Sequence, residues 1–132
     1  MHSVTENIDK ALEVIGEYLA AFLAVEQDWS VIDGMMHARN INEVLMYYDT
    51  ALRSIHRVLD KRGGWIYNNL KRSLKEEINL NTMIDECSRE IMKLLESQNS
   101  RLYALKLVER ALAKYPKYKE YSEERQGEEQ QR

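Results

Sequence analysis

One proline and five glycines are spread over 132 residues. That is too little turn chemistry for a protein of many short strands, so an all-β fold is excluded and helices are favoured. A single cysteine, Cys87, leaves no disulfide framework and no multi-cysteine zinc site. Long apolar runs are missing too. The longest covers residues 18–25, bounded by Glu17 and Glu26, whereas a membrane span needs about 20 residues. The opening residues lack the basic and apolar regions of a signal peptide. The expected location is therefore intracellular (cytoplasmic), or within a particle assembled in a cell, such as a virion.

What is present has the balance of a globular domain: 44% hydrophobic and 31% charged residues. The length suits one domain rather than two. Apolar residues recur in alternating steps of four and three, the spacing that lines one face of a helix. Ile8, Leu12, Ile15, Leu19 and Phe22 do so behind a Ser3/Glu6 capping pair, predicting a helix over 4–26 whose second half is apolar on nearly every side. Residues 27–40 contain the turn signal Asp33-Gly34 but also Trp29, Val31, Ile32, Met35 and Met36, so a short helix or packed loop is expected. Asn40 and Glu43 open the next helix, carried by Ile41, Leu45, Tyr48, Leu52, Ile55 and Leu59 and stopped by Gly63-Gly64.

A third helix starts at Trp65 with Ile66, Leu70, Leu74 and Ile78; Asn79 or Asn81 caps a fourth with Ile84, Cys87, Ile91, Leu94 and Leu95. Without a break near residue 80, the two would form one helix of about 30 residues. A capping site over 97–100 precedes Leu102, Leu105, Val108 and Leu112, and Pro116 ends that helix. The fold class expected is all-α: an antiparallel helical bundle of four, or five, amphipathic helices over residues 1–116. A flexible charged tail over 117–132, which contains no aliphatic residue, would follow. The expected core is Leu12, Ile15, Leu19, Phe22, Leu45, Leu52, Ile55, Leu70, Ile91, Leu105 and Leu112.

Catalytic patterns do not assemble. There is no Glu-x-x-His pair for a di-metal bundle, no Gly-x-Ser-x-Gly elbow and no Gly-rich phosphate loop. Asp33 and His37 are four apart but straddle a glycine, His56 falls at the edge of a core face, and Glu86 and Glu90 read as a solvated surface. Cys87 lies on a core face, where a free thiol is a small hydrophobe. No enzyme activity, metal or cofactor is expected.

Charge is unevenly laid out. Residues 1–52 carry nine acids and two bases, residues 53–119 fifteen bases and eight acids, and residues 120–132 five acids and two bases. Three readings follow. The acidic half packs beside the basic half within one molecule; or acidic and basic faces of successive copies meet; or the basic segment binds nucleic acid. For the last, Arg53, Arg57, Lys61, Arg62, Lys71, Arg72 and Lys75 supply phosphate-neutralising charge, and Trp65 and Tyr67 supply stacking surface. An acidic tail could compete for that face. Tyr18, Phe22, Val25 and Trp29 form the candidate apolar interface. The expected function is a non-enzymatic structural or interaction protein that self-associates within a larger assembly; a nucleic-acid-binding or regulatory protein using residues 53–75 is the alternative.

Overall fold

The computed structural model describes residues 4–74 and 79–130, with side chains over 7–61, at 64, and over 66–74 and 79–123. Among the described residues every regular element is a helix: α1 (Val4–Glu26), α2 (Ser30–Met36), α3 (Ile41–Arg53), α4 (Ile55–Leu74), α5 (Leu80–Leu95) and α6 (Ser100–Gln130). There are thus six, rather than four or five. The capping pair expected at Ser3 and Glu6, and Ile78, lie outside the described residues.

α1 is the centre of the molecule. It packs most extensively on α6 and also contacts α5 and α4. Every residue from position 14 to position 24 is buried, as the all-round apolar second half of this helix demands. Burial of each large side chain there, such as Leu19, Phe22 or Leu23, stabilises by about 1.5–3 kcal/mol. Gly16 lies so close to α6 that a Cβ on it would sit 2.6 Å from the Cβ of Arg110. Eight residues further along α1, Ala24 shares a cleft wall with Lys119 and Ser122 of α6. The two helices therefore run in the same direction. α4 runs against α1, since Glu26 meets Arg57 and Glu17 meets Ser73. Neighbours in this fold are not uniformly antiparallel, because α1 and α6 are separated by four intervening helices and no short joint dictates their direction.

Several boundaries differ from the expected ones, each for a visible reason. The expected turn at Asp33-Gly34 lies inside α2, where the Tyr47 ring fills the space a Cβ on Gly34 would need. Asn40 does cap α3, its side chain accepting from the Glu43 N–H at 3.0 Å while the Glu43 carboxylate accepts from the Arg39 N–H at 2.9 Å.

The helix expected to run to Gly63 instead breaks at Ser54. There the carbonyl of Ala51, which an unbroken helix would pair with residue 55, accepts from the buried Tyr18 hydroxyl at 2.7 Å and from the Ser54 N–H at 3.3 Å. A side chain inserted into the hydrogen-bond ladder is a recognised cause of a helix break. Gly64 does take a left-handed conformation, φ +85, yet α4 continues past it.

Pro116 likewise lies within α6 instead of ending it. Residues 117–130 are helical rather than a flexible tail, and Tyr118 and Ser122 are buried. The helix phase explains this. Ala104, Val108, Ala111, Tyr115, Tyr118 and Ser122 keep the four-three stepping across the proline, so the far side of Pro116 still has a face to bury.

Of the expected core, Leu12, Ile15, Leu19, Phe22, Leu70 and Ile91 are buried. Leu45, Leu52 and Ile55 are half-buried. Leu105 and Leu112 are exposed, because the inward face of α6 is the one bearing Ala104, Leu107, Val108 and Ala111.

Replacing Gly16 with Ala is expected to destabilise the protein by about 1–3 kcal/mol, the usual cost of forcing extra volume into a closed interface. Gly64→Ala meets open space and is expected to cost only the backbone strain of a left-handed L residue, about 1–2 kcal/mol. Urea unfolding of both variants checks this; an unshifted midpoint for Gly16→Ala would contradict the close α1–α6 approach.

Candidate functional site

The most polar point of the interior is Glu17, whose side chain is 1% exposed in the middle of α1. Its Oε1 accepts three hydrogen bonds: from Ser73 Oγ of α4 at 2.5 Å, and from Lys117 Nζ and the Tyr118 hydroxyl of α6 at 2.7 and 2.9 Å. Lys117 Nζ also donates to Ser73 Oγ at 2.8 Å, and Lys114 Nζ stands 3.9 Å from Oε2. Burial pushes the carboxyl pKa up, but the hydrogen bonds from Lys117, Ser73 and Tyr118 and the Lys117 charge outweigh it and hold the group below its ordinary value.

Chemically this is a clasp. The Ser73 proton is directed at Glu17. Two further buried phenols act the same way: Tyr18 ties α1 to α3 through Ala51, and Tyr48 ties α3 to α5 through the Ser88 carbonyl at 2.9 Å. Burial pushes all three phenols far above the ordinary value of 10, so they serve as hydrogen-bond donors.

None of the four groups in the clasp is among the candidates that motif and charge patterns single out. A signal is nevertheless present. A lone glutamate inside a helix that is apolar all round must be buried, and a buried charge requires a partner.

The basic segment is only partly a free surface. Arg53 pairs with Asp49 at 2.7 Å and Arg57 with Glu26 at 2.6 Å. Lys61, Lys71 and Arg72 are exposed on α4. Tyr67 is half-buried against the core. Lys75, and the side chains of Arg62 and Trp65, lie outside the described residues.

Of the apolar interface expected from sequence, Trp29 alone is exposed. Tyr18 and Phe22 are in the core, Val25 is half-buried, and Trp29, 38% exposed, stacks edge-on against Tyr115 with ring centres 4.8 Å apart. The aromatic contact between α2 and α6 uses the face that would have met a partner.

Exposed apolar side chains occur elsewhere, Ile41 and Met46 on α3 and a set of leucines on α6. Leu102, Leu105 and Leu112 are 48%, 36% and 41% exposed. At 3.6 residues per turn these three, with Glu109 and Pro116, fall within about 80° of arc. α6 thus carries two periodic faces, one covered by α1 and one uncovered.

An open cleft of about 630 Å³ lies between α1 and α5, walled by Lys10, Ala11, Met83, Cys87, Glu90 and Lys93. Glu90 pairs with Lys93 across one turn at 3.4 Å, and Glu86 is exposed on the same rim. The His37 ring faces the Asp33 backbone carbonyl at 2.9 Å rather than its carboxylate, and His56 is exposed. No group of three or more metal-ligating side chains occurs among the described residues, and no described helix is long and apolar enough to cross a membrane. Compared with protein-family models, with curated proteins and with solved structures, the chain matches none.

Removing the clasp is expected to weaken the fold in a pH-dependent way. A carboxyl whose folded pKa is depressed contributes stability that is complete above its unfolded value, near 4.5, and is lost as pH falls through the folded value. Glu17→Gln should cost about 3 kcal/mol at pH 7, the lower end for breaking a buried pair, because Lys117 can turn to solvent. Lys117→Met should cost more, since it strands the carboxylate. The Glu17→Gln deficit should shrink below pH 4.5. Denaturation midpoints at about pH 7 and pH 3 test this, and a deficit independent of pH would refute a charged Glu17. Truncation after residue 116 should unfold the protein, while truncation after 123 should leave it folded.

Proposed function

We propose that this chain is a non-enzymatic helical-bundle protein that works by self-association, as a structural or interaction component of a larger assembly. The observation that carries the reading is the uncovered leucine face of α6, Leu102, Leu105 and Leu112. Large apolar side chains kept in register on an otherwise solvated helix flank are the pattern of a partner-facing seam. The interior supports the same reading, because its buried ionic cluster ties α1, α4 and α6 together.

Charge contributes less to assembly than its distribution along the chain suggests. Glu17, Glu26 and Asp9 of the acidic half already face Lys117, Arg57 and Arg110 of the basic half within one molecule. The association should therefore be apolar in origin. Light scattering on a sizing column should show a mass that rises with concentration in the micromolar range and persists at high salt. A strict monomer at every concentration and ionic strength would sink the reading.

A second reading rests on α4, where Lys61, Lys71 and Arg72 are exposed to solvent on one helix. Such a row can contact the phosphates of a nucleic acid. It predicts an affinity for duplex or single-stranded DNA that falls steeply with salt and drops on changing these three residues to Ala. Salt-independent or undetectable binding removes it.

A further inference from the structure

We infer that the uncovered face of α6 pairs with the same face of a second copy of this chain, the two helices running antiparallel about a two-fold axis near residue 107. The inference rests on the self-association reading above and specifies its partner and geometry.

Spacing is the first argument. Leu102, Leu105, Glu109, Leu112 and Pro116 follow steps of three, four, three and four, the repeat by which two helices interdigitate along a shared seam. All five are exposed, whereas Val108 and Ala111, on the inward face, belong to the core. The seam and the core contact are thus separate faces of one helix, and filling the first does not require opening the second.

Charge decides between a second copy and other occupants, and then sets the direction. Glu109 sits in the middle of the seam, between Leu105 and Leu112, and is exposed. A purely apolar partner would bury that carboxylate without an opposite charge, which is costly. A parallel copy in register would set the two Glu109 carboxylates against each other.

An antiparallel copy avoids both faults. It places Leu102 of one protomer over Leu112 of its partner at each end. In the middle it brings each Glu109 over Leu105 of the partner and within reach of the partner's Lys106, one residue along the same flank. Lys106 is exposed, its Nζ over the Tyr103 ring of its own helix at 5.8 Å, and the two-fold axis would form the Glu109–Lys106 pair twice. The seam runs over about 20 Å, from residue 102 to residue 116. At a helix width of about 10 Å the seam covers on the order of 200 Å², well under the roughly 800 Å² per partner of a tight complex, so a weak, concentration-dependent dimer is expected.

The test uses the full chain. K106E leaves only acids at positions 106 and 109 of the seam, and E109K leaves only bases there. Each variant alone should therefore dimerise about fivefold more weakly than the unchanged protein. Mixed together they should recover most of the lost affinity, because every carboxylate on one protomer's seam then faces an ammonium on the other's. Orientation is read separately on a Cys87→Ser background. L102C mixed with L112C should form the mixed disulfide in preference to either homodimeric disulfide. All the substituted α6 positions are exposed, and such positions are the ones a fold tolerates.

A dimer whose mass is indifferent to K106E and E109K, or one that gives only homodimeric disulfides, overturns the antiparallel seam while leaving self-association standing. A strict monomer at all concentrations overturns both.

Discussion

A carboxylate placed among three helices has to be met by donors from its neighbours, and Glu17 is so placed. Ser73 of α4 and Lys117 and Tyr118 of α6 converge on one oxygen of a side chain in the centre of α1. Hydrophobic burial is roughly proportional to area and indifferent to direction. Left to apolar contacts alone, α6 could slide or rotate on the alanine-rich surface of α1. The clasp gives the contact a direction, because Lys117 and Tyr118, successive positions of α6, meet the same oxygen. It also explains how a helix survives an internal proline. Pro116 removes a backbone donor and costs about 3 kcal/mol in a helix interior, and the very next two residues make the contacts that hold the following turns in place.

The same register accounts for Gly16. One position before Glu17, the backbone of α1 comes close enough to Arg110 that no side chain fits between them. Close approach and clasp reinforce each other: the first brings α6 within reach, and the second fixes where along α1 it stops. From this pair the rest of the packing follows outward, with Tyr18 reaching the end of α3 and Tyr48 continuing to α5.

Local signals are legible in the sequence to the extent that they are local. The all-helical class, the Asn40 cap and the burial of the second half of α1 follow from composition, capping chemistry and periodicity, whereas the choice between Asn79 and Asn81, left open by the sequence, falls to Asn79. The features that depart from expectation share a cause. The helix breaks at Ser54 because Tyr18, 33 residues before Ala51, takes the Ala51 carbonyl, and nothing near Ser54 announces it. Residues 117–123 read as solvated because they contain no aliphatic side chain, yet Tyr118 and Tyr121 pack as well as aliphatics do and Tyr118 adds a polar handle. On α6 the leucines draw attention to the wrong face. Helices that approach closely bury small residues, so Ala104 and Ala111 face inward beside Leu107 and Val108, while Leu102, Leu105 and Leu112 remain outside.

That inversion bears on function. α6 buries Ala104, Leu107, Val108 and Ala111 and leaves Leu102, Leu105 and Leu112 exposed, so it carries two apolar faces, and the proposed self-association uses the second. The distribution of charge points the same way once the pairs are traced. Glu26 with Arg57 and Glu17 with Lys117 join acids from the first half of the chain to bases from the second within a single molecule. The opposed halves thus largely serve the monomer, and exposed pairs of this kind contribute little beyond it. The element proposed to recognise a second molecule is the leucine seam with Glu109 at its centre. A carboxylate there is a poor choice for general stickiness and a good one for specificity, since it penalises apolar partners and parallel copies more than it penalises the one arrangement that supplies Lys106.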